Sequence, residues 1–232
     1  MANVQFYTSQ SQKVSNLWNG DTGLADEGSF YIATNPTVGT GIATTTSVVD
    51  DAATASATHA QAVPVMYIAN PSSNPRSIYL RYLRMLVTAA PTSATFWNMS
   101  IRADNVPRYS TGGTTIIPVN MNTGAASASS AQIVFGAVVA SALPSANARL
   151  LTNTAIQSSI PVVKDLWTIT FGDVSMGTNV LTASAAKNIT IPCGPIVIAP
   201  GWNIAIGMWG ASNAGAPAWE FELGYVERVS GN

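Results

Sequence analysis

From residue 63 onward, the chain consists of short apolar runs separated by turn residues. Two of the runs, LWTITFG at 166–172 and AWEFELGYVER at 218–228, alternate large apolar residues with threonine or glutamate. A period of two with aromatic and β-branched residues predicts half-buried strands. No run in this part keeps the apolar spacing of an amphipathic helix over eleven residues. About eight strands are therefore predicted, in VPVMYIAN, IYLRYLRMLVT, TFWNMSIR, GTTIIPVN, AQIVFGAVVA, LWTITFG, GPIVIAPGWNIAIGMWG and AWEFELGYVER.

The run GPIVIAPGWNIAIGMWG at 194–210 carries no charge, and it raises the question of a membrane segment. A membrane helix needs roughly 20 apolar residues without helix-breaking interruptions. Pro200 and Gly201 interrupt this run, and they fit the two central positions of a type II turn. The run therefore predicts a strand, a turn and a second strand, with Trp202 and every second residue up to Met208 on one face.

The first 62 residues have a different composition, rich in alanine, threonine, serine, asparagine and glycine. A low-complexity stretch covers 40–62, and few large apolar residues recur with a period. We predict an extended N-terminal arm over 1–62 with one or two short strands, for instance near Phe30; a flexible linker is the alternative. Residues 63–232 form the second unit. The predicted fold class is all-β, an antiparallel β-sandwich of jelly-roll type that follows this arm.

Charge is unusually scarce, because charged residues make up 9% of the chain against roughly 25% in ordinary soluble proteins. Residues 109–148 and 188–219 contain no charged residue and no histidine. A surface this poor in charge is typical of a protein packed against copies of itself or other partners. The net charge of −1 gives no reason to expect nucleic acid binding, which usually requires a basic patch.

The sequence shows none of the spacings typical of catalytic or metal-binding motifs. His59, the sole histidine, lies in the low-complexity stretch, and Cys193 is the sole cysteine. The acidic stretch NGDTGLADEG at 19–28 lacks the spacing of a calcium loop. We therefore predict no catalytic residue, no cofactor and no metal site. The N-terminus lacks a basic segment followed by an apolar run, so synthesis in a cytosol and no membrane association are expected.

Glu220 and Glu222 are the one pair that suggests an enzyme. On a strand they point the same way, with Cα atoms roughly 6.6 Å apart. This approaches the carboxylate separation of inverting glycosidases, which is roughly 6.5–9.5 Å. Any half-exposed strand shows the same spacing on its polar face, so the chain is predicted not to be an enzyme, with glycan hydrolysis as a minor hypothesis.

Three residues are candidates for a subunit interface. In IYLRYLRMLV, alternation places Arg81 with Leu83 on one face and Arg84 on the other, so neither face is cleanly polar. Such a strand is covered on both sides or lies in an interface, where arginine needs a carboxylate or carbonyl partner. An interface role is favoured over a partner within the chain. Trp209 is predicted in the core or in an interface, and an exposed platform for a sugar ring is the alternative.

Three segments, GTTIIPVNMNTGAASASSAQIVFG at 113–136, the run at 194–210 and AWEFELGYVER at 218–228, resemble the small β-sandwich structural proteins of tailed bacteriophages. These are cement, decoration or head-fibre proteins, and the resemblance spans roughly 63–228. It implies a jelly roll, a homotrimer near a capsid symmetry axis and a role in holding capsomers together. It brings no catalytic residue.

The function expected from the composition and the resemblance together is structural. We expect a virion protein on the capsid surface that bridges neighbouring subunits of the major capsid protein. Its partners would be copies of itself, as a homotrimer, and the capsid protein, with neither nucleic acid nor membrane. The alternative is a receptor-binding or glycan-binding module of a phage head or tail fibre, which would expose aromatic residues at one end of the sandwich.

Overall fold

The computed structural model describes residues 20–35, 37–43, 64–90, 97–107, 109–125, 127–140, 149–157, 161–172, 188–210 and 217–229. These ranges contain one short helix and fourteen strands. In chain order they are α1 (Gly20–Asp26), β1 (Phe30–Thr34), β2 (Ile42–Ala43), β3 (Met66–Ala69), β4 (Arg76–Ala89), β5 (Trp97–Asp104), β6 (Tyr109–Ile116), β7 (Val119–Asn120), β8 (Gln132–Ala140), β9 (Arg149–Gln157), β10 (Leu166–Phe171), β11 (Asn188–Cys193), β12 (Val197–Ile198), β13 (Asn203–Gly210) and β14 (Ala218–Val229).

The strands form two sheets that share one hydrophobic core. The eight-stranded sheet has the order β11-β10-β4-β14-β1-β7, with β12 added to β4 and β2 added to β14. The six-stranded sheet has the order β6-β8-β3-β13-β5-β9. Inward-facing residues of both sheets, such as Met85, Trp167, Ile101 and Ile206, are fully buried in a single cluster. This is a two-layer β-sandwich.

Eight of the strands have the connectivity of a jelly roll. One sheet contains β1-β14-β4-β10 and the other contains β3-β13-β5-β9. The antiparallel pairs are nested along the chain, because β1 pairs with β14, β3 with β13, β4 with β10 and β5 with β9. A long hairpin rolled into two four-stranded sheets gives this nesting. The predicted all-β jelly-roll sandwich is therefore confirmed, and the other strands extend its edges.

The segment 20–43 belongs to the sandwich, although it lies inside the predicted arm. β1 pairs antiparallel with β14 on one side and with β7 on the other, so it is an interior strand of its sheet. Its residues Tyr31 and Ala33 are fully buried. A short strand is predicted near Phe30 from the sequence, but a run of five residues does not indicate which strand it pairs with. Residues 1–19 and 44–62 of the predicted arm lie outside the described residues.

The uncharged run at 194–210 folds as its prolines and glycine predict. Trp202 N–H donates a hydrogen bond of 3.0 Å to Ala199 O, which closes a turn around Pro200 and Gly201. Gly201 has φ = 79°, a conformation that favours glycine. The strand before the turn, β12, pairs with β4, whereas β13 pairs with β3 and β5. The turn therefore carries the chain from one sheet to the other.

Candidate interface on the outer face of the eight-stranded sheet

The outer faces of the two sheets differ in exposure. On the six-stranded sheet, the outward residues Tyr67, Ser100, Arg102 and Val134 are at most 1% exposed, so this face is covered within the chain. On the eight-stranded sheet, the outward residues of β4 from Tyr79 to Thr88 are half-buried or exposed, whereas Ser77 is buried, and the Arg84 side chain is 47% exposed. Of these two faces, the eight-stranded one is the surface that a neighbouring molecule can reach.

A β-bulge places Arg81 and Arg84 on this same outer face. The register opposes Gly224 to Tyr82 but Tyr225 to Leu80, so Arg81 is an extra residue on β4. Such a bulge shifts the alternation by one residue. Leu80 and residue 83 consequently both point into the core, while both arginines are exposed. The prediction that Arg81 shares a face with Leu83 is therefore wrong, because strict alternation cannot anticipate a bulge.

Arg84 has a carboxylate partner within the chain. Its Nη1 lies 3.2 Å from Oε1 of Glu222, the residue directly opposite on β14. The hydroxyl of Tyr82 donates a hydrogen bond of 3.0 Å to the same oxygen. For Arg84, the predicted need for a carboxylate or carbonyl partner is thus met within the chain by Glu222, and the favoured interface role stays a prediction. Because both side chains are partly exposed, the pair contributes at most about 1 kcal/mol to stability.

The ring of Tyr82 is held over a glycine on the neighbouring strand. Gly224 lies directly opposite Tyr82, and a Cβ atom at Gly224 would approach Cε1 of the ring to 2.3 Å. The absence of a side chain therefore lets the ring lie flat on the sheet. This position brings the Tyr82 hydroxyl to Glu222 and covers the backbone of β14.

Both carboxylates of the hypothetical hydrolase pair have structural partners. Glu222 accepts from Tyr82 and Arg84, and Glu220 accepts a hydrogen bond from the backbone N–H of Gly39. Between them and the 35–39 loop lies a shallow cavity of about 360 Å³, which is lined also by Val38. Each carboxylate is thus committed to holding a strand or a loop, and the absence of catalysis stays a prediction.

An uncharged strip crosses the same face next to the ion pair. Pairing aligns Val119 of β7 with Ile32 of β1, then Gly224 under the Tyr82 ring, then Thr170 of β10. Val119 is 66% exposed at the sheet edge. Tyrosine and arginine are enriched in protein interfaces, and lysine is depleted. We call this outer face, with its strip and its Arg84–Glu222 pair, the β4–β14 face.

Trp209 does not join the two arginines. It lies on β13, opposite Asn98 of β5, in the six-stranded sheet. Its side chain lies outside the described part, so its predicted core or interface position stays a prediction. Trp209 therefore belongs to a different sheet from Arg81 and Arg84, whose side chains share a described surface.

A cleft that the sequence did not suggest lies between the sheets beside the Pro200–Gly201 turn. It has a volume of about 380 Å³, and Trp202, Arg149 and Cys193 are among its lining residues. The guanidinium carbon of Arg149 is 5.1 Å from the centre of the Trp202 ring. Burial raises the pKa of the Cys193 thiol. Trp202, predicted in the core, is half-buried and packs against the core from this cleft.

One acidic side chain of the stretch at 19–28 takes part in a described structural contact. Glu27 forms an ion pair with Arg228 at 3.3 Å, and both side chains are more than half exposed. Over the described ranges, no group of three or more histidine, cysteine, aspartate or glutamate residues is arranged to hold a metal ion. Over the same ranges, no helix is long and apolar enough to cross a membrane.

Comparison with known proteins yields little similarity. No protein-family model matches the chain, and no curated protein matches it. Among solved structures, the unassembled VP1 pentamer of KI polyomavirus is similar at 14% sequence identity and a TM-score of 0.28, covering 88% of this chain and 93% of that one. This global similarity is too low to define the fold, which follows from the strand order.

Proposed function

We propose that this protein is a structural component of a virion that stabilises a capsid by bridging neighbouring capsid subunits, without catalysis. The observation that carries the proposal is the β4–β14 face, a broad and reachable surface with an uncharged strip and an internally neutralised ion pair. A jelly roll by itself supports many functions. The surface chemistry, and not the fold, is the argument.

The charge distribution supports packing against other subunits. Seven of the ten basic residues are arginine and three are lysine, and arginine is enriched in interfaces while lysine is depleted. Arg84 already has its counter-ion in Glu222. A partner that covers this pair has no unpaired charge to neutralise, so contacts with neutral side chains suffice.

The finer assignment follows the resemblance to phage structural proteins. It implies a cement or decoration protein, a homotrimer near a symmetry axis, a position on the capsid surface and the major capsid protein as partner. The alternative, a glycan-binding or receptor-binding fibre module, would need an exposed aromatic cluster. The candidate for such a cluster is Trp209, whose side chain lies outside the described part. This alternative is therefore supported by the sequence alone.

The direct test is to purify particles from the source lysate on a density gradient and to measure this chain in the particle fractions by quantitative mass spectrometry. A constant ratio of this chain to the major capsid protein, retained after washing in high salt, is expected. A chain confined to the soluble fractions, with none in intact particles, would overturn the proposal. If the chain is present in intact particles, its amount in heads and in tails separated by shear distinguishes a capsid location from a fibre location.

A further inference from the structure

The cleft between the sheets has apolar walls. Leu151 of β9 and Val197 of β12 stand at its mouth and are 43% and 50% exposed, while Ile196, Ile204 and the Trp202 ring are among its inner lining. The volume of about 380 Å³ lies in the range of sites for small molecules. Side chains this apolar favour a hydrocarbon group over water.

One positive charge lies on the lining of this cleft. Arg149, the first residue of β9, places its guanidinium over the Trp202 ring. Among the lining residues it is the one that carries a charge. Within the part of the chain that the structure describes, no carboxylate forms an ion pair with it. A guanidinium with no carboxylate partner among the described residues, placed beside an apolar cavity, complements an anionic group attached to an apolar one.

Apart from Arg149, the lining has few hydrogen-bonding side chains, which include those of Thr152, Cys193 and Asn203. The side-chain amide of Asn203 is buried, and it donates bonds of 2.9 Å to the carbonyl oxygens of Asp104 and Val106. The Cys193 thiol is a weak donor. A sugar, with many hydroxyls to satisfy, would find few partners here. A single cation also suits a monoanion better than a phosphate dianion.

We propose that this cleft binds a small monocarboxylate that carries a hydrocarbon chain. The hydrocarbon chain packs against Leu151, Val197 and Trp202, and the carboxylate accepts hydrogen bonds from the Arg149 guanidinium. The site is separate from the β4–β14 face, so it can be occupied whether or not the protein assembles.

The first experiment is calorimetric titration of the full chain with decanoate, below its micellar concentration, and with decanol as the uncharged probe. Decanoate is expected to bind roughly tenfold more tightly than decanol, since charge-assisted hydrogen bonds are about twice as strong as neutral ones. Arg149→Gln should reduce the affinity for decanoate to that for decanol. Arg228→Gln, which removes another exposed arginine, is the matched control and should bind decanoate as the wild type does.

The second readout is the thiol on the cleft lining. Bound decanoate should slow the alkylation of Cys193 by iodoacetamide in the wild type, and the same concentration should protect Arg149→Gln much less. Equal affinity for decanoate and decanol, or no protection of Cys193, would overturn the proposal. If neither probe binds and Arg149→Gln instead changes the oligomeric mass, the occupant is a second copy of the chain and the proposal is wrong.

Discussion

At the scale of single residues, a buried carboxylate holds a loop against the eight-stranded sheet. Glu227 on β14 is 2% exposed. Its Oε1 accepts hydrogen bonds from the Ser129 hydroxyl and from the backbone N–H groups of Ser130 and Ala131. The Tyr225 hydroxyl shares a bond of 2.6 Å with the Ser129 hydroxyl. This network holds the segment before β8 against β14.

Replacing this carboxylate should destabilise the fold. In Glu227→Ala, the hydroxyl and the two N–H groups lose their acceptor, and we expect the free energy of unfolding to fall by about 2 kcal/mol or more. Chemical denaturation, followed by fluorescence, measures the change. Glu27→Ala is the matched control, because Glu27 is an exposed acid, and it should change stability by at most about 0.5 kcal/mol. Equal losses in the two variants would contradict the structural role of Glu227.

Tyr225 should make stability fall at alkaline pH. Its side chain is fully buried, and burial raises the pKa of its hydroxyl well above the ordinary value near 10. Because the folded state holds this proton more tightly than the unfolded state, the stabilisation is complete below pH 10 and is lost as the pH rises beyond it. We expect the melting temperature of Tyr225→Phe to fall less between about pH 9 and 11 than that of the wild type. Identical slopes would contradict this account.

At the scale of elements, the contact between β4 and β14 depends on the glycine under Tyr82. A methyl group at Gly224 would collide with the ring, so Gly224→Ala should displace Tyr82 from Glu222 and cost about 1–3 kcal/mol. Thermal unfolding measures this loss. Gly194→Ala is the control, because a Cβ atom at Gly194 meets nothing within 4 Å. A Gly224→Ala variant as stable as the control would contradict the packing described here.

The alternation of apolar and polar residues located most strands. It was misleading, or gave no strand, in segments that contain proline or few large apolar residues. The predicted strand at 113–120 is split, because Pro118 lacks an N–H and separates β6 from β7, which lie in different sheets. β9 and β11 were not predicted. β11 alternates Ile189 and Ile191 with polar residues, but it is six residues long and contains Pro192, which is atypical of a strand interior.

The candidate site was predictable only in part. Sequence spacing selected Arg81 and Arg84, but their common surface depends on one extra residue in β4. The cleft depends on contacts between residues distant in the chain, such as Arg149 and Trp202. No local period encodes such a contact. The position of 20–43 in the sheet likewise follows from pairing with β14, which is about 190 residues away along the chain.

At the scale of the whole molecule, two exposed valines should differ in their importance for assembly. Val119, on the β4–β14 face, and Val229, at the end of β14, are 66% and 70% exposed. Val119→Asp places a charge in the uncharged strip, and a partner would have to bury it. We expect this variant to dissociate at concentrations where Val229→Asp remains assembled, as measured by sedimentation velocity. Equal behaviour of the two variants would place the contact elsewhere.

The most direct test of the structural role is the mass of the full chain in solution, measured by light scattering at low salt and at about 1 M salt, where the screening length is roughly 3 Å. Contacts between neutral side chains are insensitive to screening. We expect an oligomer, a trimer if the resemblance to phage proteins holds, with the same mass at both salt concentrations. A monomer at both, or an oligomer that dissociates in high salt, would contradict assembly through the β4–β14 face.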